Sequence, residues 1–392
     1  MKRIFGFAAL LAVAVAAAPV MPISSRAPVE PITGPAPVDP EIPVALLVDL
    51  STGQTLFSRE PDRRFMPASV TKVMTLYTAF DLVKRGKLSL DQQATFDKDL
   101  ADEWQGVGSS LFLKEGDRVT ISQLLMGVAT VSANDGAVTL AKAGGGSVEN
   151  WVELMNDNAA KLGMHDSHFG RPNGYMDEGR TYTSAHDLVL LADALTRRFP
   201  DLYARFIGKH GMTYNGITQN NHDPDIGIIP GADGIKTGFT EQAGYTYLGS
   251  AARNGRRLVM VIGGAPSWQI RNHTARELIE WGFDNFTSRE LLPAGTLVGS
   301  ARVQEGSATS VPLRTETNLF TNLPSGQDGK ARLSVRYLGP IKAPIIAGDE
   351  IATLRISIPG QQPHDVPLVA GAAVTRASAW QRLRNGLESL IL

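Results

Sequence analysis

The sequence predicts an α+β fold, an antiparallel sheet flanked by helices with an added helical lobe, followed by a small all-β domain. Three observations carry that prediction. Strand-like apolar runs occur at residues 44–50 and 54–59, and again at 233–240, 245–252 and 256–263. The stretch between them has helical periodicity, so both ends of this region build the sheet and its middle builds the lobe. Beyond residue 287 short alternating segments such as 331–338 and 351–358, separated by Gly and Pro, replace the helices.

Along the chain, Lys2 and Arg3 precede a small-residue apolar run at 4–18, then Pro19 and polar residues. That is the layout of a secretory signal, and the run is shorter than the roughly 20 residues a spanning helix needs. Residues 1–27 are therefore expected to be a signal peptide and 28–43 a Pro-rich linker. The protein is expected to be exported, to the periplasm or the outer face of the cytoplasmic membrane. Ser51-Thr52-Gly53 closes a hairpin between the first two strands. A helix is expected over 67–84, stopped by Gly86, and further helices over 121–128, 137–142, 148–162 and 185–197. Ser184 with Asp187 reads as the cap of the last of these. Asn254-Gly255 marks a tight turn between two strands, and 274–286 reads as an amphipathic helix. Residues 287–372 form the all-β domain. At 373–392, Trp380, Leu383, Leu387, Leu390 and Ile391 share one helical face, an amphipathic end suited to peripheral membrane contact.

Composition excludes several chemistries. Cysteine is absent, which removes disulfides, thiolate nucleophiles and iron–sulfur clusters. The 38 Lys and Arg against 39 acidic residues leave a net charge of −1, so charge makes no case for a nucleic-acid partner. His165 and His168 lack an evident third ligand, and neither a His-Glu-x-x-His nor a Gly-x-Ser-x-Gly motif occurs. Ile235 stands where a phosphate loop needs Gly. No metal or cofactor is expected.

Three motifs carry the remaining chemistry. In Ser69-Val-Thr-Lys72 the spacing puts hydroxyl and amine on one helical face. At a helix start Ser69 can present its hydroxyl as nucleophile and its own N–H to a developing oxyanion. Lys72 can act as its base when burial and nearby cations lower its pKa. Ser132-Ala133-Asn134 lies between two helices, where the hydroxyl can relay a proton and the amide can hold a substrate backbone. An N-cap is the plain alternative. Lys236-Thr237-Gly238 lies on a strand; the lysine and threonine can bind a carboxylate, and Gly238 permits close approach of a ligand.

Each motif is weak alone, and together in this order they are strong. The sequence resembles the D-alanyl-D-alanine carboxypeptidases, low-molecular-mass penicillin-binding proteins, over residues 43–286. The resemblance rests on Pro67-Ala-Ser-Val-Thr-Lys-Val-Met-Thr75, Ser132-Ala-Asn-Asp135, Tyr182-Thr-Ser-Ala-His-Asp-Leu188 and Asp233-Gly-Ile-Lys-Thr-Gly-Phe-Thr240. It implies a β-lactamase/transpeptidase-like fold, with a serine D,D-peptidase domain at 44–286. It also implies removal of the terminal D-Ala from peptidoglycan stem peptides and inhibition by β-lactams. Carried over by position, Ser69 is the acylated nucleophile, Lys72 its base and Ser132 a proton relay. Asn134 orients the peptide, Lys236 and Thr237 bind the terminal carboxylate, and the N–H groups of Ser69 and Phe239 form the oxyanion hole. Phe239 stands where relatives often carry histidine, and Arg271 lies on the segment where they carry an arginine near the carboxylate. A D,D-endopeptidase shares this chemistry. A class A-like β-lactamase also does, but needs a deacylating Glu, for which Glu153 is the nearest candidate.

Overall fold

The computed structural model describes residues 36–324, 331–358, 363–378 and residue 381. The expected signal peptide, most of the linker and most of the C-terminal helix lie outside the described residues. The chain divides into two compact units. Among the described residues one comprises 36–51 and 55–285, the other 52–54 and those from 286 onward.

The first unit runs β1 (Val44–Asp49), β2 (Gln54–Arg59), a 3-10 turn (Ala68–Thr71), α1 (Lys72–Lys84), β3 (Gln93–Thr95), α2 (Lys98–Trp104) and β4 (Arg118–Thr120). There follow α3 (Ile121–Thr130), α4 (Asn134–Gly145), α5 (Val148–Lys161), α6 (Ala185–Arg198), α7 (Pro200–Phe206), β5 (Gly211–Tyr214) and β6 (Ile217–Asn220). It closes with β7 (Ala232–Thr240), β8 (Gly244–Arg253), β9 (Arg256–Ala265) and α8 (Trp268–Asp284). The main sheet has the order β2-β1-β9-β8-β7, so strands from both ends of the unit share it. Val44 pairs with Gly263 and Asp49 with Leu258, antiparallel. Every residue of β1 is buried, as a central strand covered on both faces requires. Asn254 and Gly255 both take positive φ in the β8–β9 turn, the conformation for which Asn-Gly is suited.

Helix α1 is the centre of the lobe. Val73, Met74, Leu76, Ala79 and Phe80 are fully buried, so apolar residues surround its axis. Helices α3, α4, α5 and α6 pack around it, with Val128, Leu140, Trp151 and Leu191 in the same core.

The structure differs from the sequence expectation at four helices. The helix expected from residue 67 is a 3-10 turn up to Thr71 and α-helical only from Lys72. Helix α8 starts six residues before the expected 274, capped by Ser267; its first turn is largely exposed, which blurs the apolar period. Helices α2 and α7 and the β5–β6 hairpin were not expected, being too short for a periodic signal.

In the second unit β10 (Phe286–Leu292) pairs with β13 (Leu319–Pro324). The strands β11 (Leu297–Gln304), β12 (Ser310–Thr315), β14 (Arg332–Arg336), β15 (Ile341–Lys342), β16 (Glu350–Ser357) and β17 (His364–Ala370) form a six-stranded sheet. The described start of the expected C-terminal helix is not helical. Val374 and Arg376 make bridges with Ile345 and Gly306, because buried Val374 completes the β core. Among the described residues no helix is long and apolar enough to cross a membrane.

Candidate active site

The site is built on the turn that carries Ser69. Ala68 has φ +49°, a left-handed conformation rare for a residue with a side chain. Gly174 sits against it; a Cβ there would lie 2.0 Å from the Ala68 carbonyl oxygen, so only glycine fits. The Thr246 hydroxyl donates to the Pro67 carbonyl oxygen at 2.9 Å and ties the turn to β8. Gly238 on β7 approaches from the same side. A Cβ on it would meet Thr246 Oγ1 at 2.4 Å, Pro67 O at 2.6 Å and Ser69 N at 3.0 Å. The absence of a side chain at Gly238 therefore makes room for the turn that carries Ser69. Ser69 remains partly exposed.

One turn on, Lys72 is fully buried. Its Nζ lies 2.8 Å from Ser69 Oγ and donates to Asn134 Oδ1 at 2.8 Å and to the Asn173 carbonyl at 2.6 Å. Burial first, and then the charge of Lys236, hold this amine well below its usual pKa, against an opposing pull from Asp135. A neutral amine has two N–H bonds and one lone pair. Asn134 Oδ1 and the Asn173 carbonyl can only accept, so they take the two N–H bonds, and the lone pair is left for the Ser69 hydroxyl.

Ser132 occupies the turn between α3 and α4, buried and with φ +63°. The N-cap position is Ala133, without a side-chain cap, so neither Ser132 nor Asn134 serves that plain role. Asn134 Nδ2 donates to the Val107 carbonyl at 3.0 Å, which fixes the amide with its oxygen toward Lys72. Asp135, which the motif reading left without a role, is fully buried. It accepts from Leu111 N at 3.0 Å, Leu113 N at 3.1 Å and Ser110 Oγ at 2.6 Å, pinning the loop before α3 beneath the turn.

Strand alternation sorts the third motif by face. Lys236 and Gly238 share the face toward Ser69. Thr237 and Phe239 share the other, opposite Tyr247 and Tyr245 of β8. Phe239 is half exposed and stacks on Tyr245 at 4.2 Å. Lys236 is buried, and burial pulls its pKa down to about 7; the Arg271 charge pushes the same way and Asp223 opposes. Arg271 comes from α8, is buried, and donates from Nε and Nη2 to Asn272 Oδ1 at 2.9 and 2.7 Å. The structure thus joins Ser69, Lys72 and Asn134 by hydrogen bonds, and Lys236 and Arg271 to them through charge. Residues 221–226 bring His222 and Asp223 into the same field, burial and the charges of Lys236, Arg271 and Lys72 lowering the His222 pKa. No sequence spacing pointed to them. Glu153 is exposed on α5, and among the described residues no carboxylate hydrogen-bonds to Ser69 or Lys72.

The family model "D-alanyl-D-alanine carboxypeptidase" matches residues 34–267. The chain is 34 % identical to D-alanyl-D-alanine carboxypeptidase DacD of Escherichia coli over 87 % of its length and 88 % of that protein's. This chain belongs to the D-alanyl-D-alanine carboxypeptidase family. Within that family, DacA of Haemophilus influenzae is 32 % identical over 81 % of each chain. The carboxypeptidase also matches the model "Penicillin-binding protein 5, C-terminal domain" at residues 286–376. Its fold is similar to that of penicillin-binding protein 5 from Haemophilus influenzae, with TM-score 0.74, 29 % identity and coverage of 88 % of this chain and all of that one. An ampicillin-bound penicillin-binding protein D2 from Listeria monocytogenes aligns with 62 % of the carboxypeptidase and 98 % of itself, at TM-score 0.57 and 27 % identity.

Proposed function

We propose that this carboxypeptidase removes the terminal D-Ala from peptidoglycan stem peptides outside the cytoplasm, through an acyl-enzyme on Ser69. The observation that carries the reading is the buried Lys72 amine, held toward neutrality 2.8 Å from the Ser69 hydroxyl. Lys72 takes the hydroxyl proton as Oγ attacks the penultimate carbonyl carbon. The N–H groups of Ser69 and Phe239 receive the oxyanion. As the tetrahedral intermediate collapses, the C–N bond breaks, and Ser132 passes the proton from Lys72 to the departing D-Ala nitrogen. Water then attacks the ester, Lys72 again taking a proton, and Ser69 is regenerated. Lys236 and Thr237 hold the terminal carboxylate with Arg271 behind them, and Asn134 orients the peptide. A β-lactam presents a carboxylate and a strained amide to the same groups and acylates Ser69.

The test is incubation with a stem peptide ending in D-Ala-D-Ala. Free D-Ala is expected from the native protein and none from Ser69→Ala. Penicillin is expected to add its whole mass at Ser69. A folded protein that releases no D-Ala and takes no adduct overturns the reading.

A further inference from the structure

The geometry points to Asp223 as a positioning residue: fixed against β7 and β8, it supplies the negative charge that balances Lys236 and Arg271 where the substrate carboxylate binds. This deepens the proposed function and rests on it. The mechanism above does not use Asp223, yet its side chain is held on several sides. Asp225 N and Ile226 N donate to its Oδ1 at 2.9 and 3.2 Å. Tyr247 Oη lies 3.0 Å from both carboxylate oxygens. Tyr247 stands opposite Thr237 in the sheet, and its hydroxyl also lies 3.3 Å from the carbonyl of Gly234, two residues before Lys236. From the other side Arg276 of α8 donates to the Pro224 carbonyl at 3.2 and 2.9 Å and anchors the same loop. Asp223 is thereby fixed to the strand that carries Lys236 and to the helix that carries Arg271.

The charges around it explain why an acid is needed. After burial, the charges of three basic groups, Lys236 of β7, Arg271 of α8 and Lys72 of α1, all lower the His222 pKa. Burial and Arg271 both drive Lys236 toward its neutral form, and Asp223 acts against them. Asp225 shares the Tyr247 phenol at 3.3 Å and feels Arg276 and Arg271, but it does not act on Lys236. A neutral Lys236 loses its Coulomb attraction for a carboxylate. Burial raises Asp223's own pKa, while the Asp225 and Ile226 amides, Tyr247 and Arg271 favour its ionised form. The ionised Asp223 extends upward the pH range over which substrate is held.

The experiment is the pH profile of D-Ala release by full-length native protein, Asp223→Asn and Asp223→Glu, with Asp225→Asn as control. Asp223→Asn is expected to move the alkaline limb of kcat/KM down by about one pH unit. At pH 8 its KM rises about tenfold with kcat within about twofold, and at pH 6 the rise shrinks to about twofold. Asp223→Glu restores the limb, and Asp225→Asn leaves it in place. If Asp223→Asn does not fold, Asp223→Ser keeps an acceptor for the Asp225 amide and carries the same expectation. An unmoved limb, or an equal loss at pH 6 and pH 8, overturns the inference while the carboxypeptidase reading stands. A native protein that releases no D-Ala overturns both.

Discussion

Two lysines with opposite duties sit within reach of each other's charge. Lys72 must be neutral to accept the Ser69 proton, and the Lys236 cation helps to make it so. Lys236 must keep its own proton to attract a carboxylate, and its pKa lies at about 7. Rising pH through about 7 therefore removes the anchor. The profile of kcat/KM is expected to fall above about pH 7, and Lys236→Arg is expected to flatten this alkaline limb because guanidinium stays charged. A stem-peptide assay across pH 5–9 checks both, and an alkaline limb unchanged in the arginine variant removes Lys236 as its origin. Lys72→Arg puts a permanent cation where a neutral amine is needed and cannot accept a proton. It is expected to slow penicillin acylation by about 10²–10⁴-fold, read by adduct mass against time. The Ser-x-x-Lys spacing made this pair legible in the sequence. The Asn173 carbonyl that completes the Lys72 environment was not, because a main-chain oxygen leaves no mark in residue type.

At the scale of elements, what the sequence revealed followed from local pattern. Strands β1, β2, β8 and β9 and helices α5 and α6 lie within two residues of expectation, each having a clear period and a turn or cap. Ser69 was expected in the first turn of an α-helix and lies in a 3-10 turn after a left-handed Ala68. That conformation is imposed from outside, by Gly174 and by β7 pressing on the turn, and no local propensity encodes it. Asp135 and Asp223 escaped for the same reason, since the Ser110, Leu111 and Leu113 partners of the first and the Tyr247 partner of the second are distant in sequence. Gly238 gives the element-scale prediction. Gly238→Ala puts a methyl 2.6 Å from the Pro67 carbonyl oxygen and 3.0 Å from Ser69 N. Strand and turn must part, at a cost of about 1–3 kcal/mol. A lowered melting temperature together with slower penicillin acylation is expected; unchanged values for both would show that the turn yields freely.

For the whole molecule, buried ionisable groups make stability depend on pH in a way that net charge does not reveal. Asp225 is almost fully buried, and burial together with Asp223 raises its pKa to about 7. An unfolded aspartate releases its proton near pH 4. Between about pH 4 and 7 the folded protein thus holds a proton that the unfolded chain has lost, so this group's contribution to stability falls as pH rises. His364 works in the opposite sense. Burial lowers its pKa to about 4, so the unfolded chain binds more protons up to about pH 6.5 and stability rises with pH. Because the two overlap, the native curve alone cannot assign either slope, but the difference between native protein and Asp225→Asn can. The variant carries no ionisable group there, so its stability relative to the native protein is expected to grow from pH 4.5 to pH 7, by up to about 1.4 kcal/mol per pH unit. Above pH 7 the difference levels off, while Lys236, titrating at about 7 when folded, adds stability to both proteins up to about pH 10. Urea unfolding at pH 4.5, 5.5, 6.5 and 7.5 reads the difference directly. Parallel curves would mean that Asp225 is ionised in the folded protein throughout, and that Arg276 and Tyr247 stabilise its carboxylate enough to offset burial.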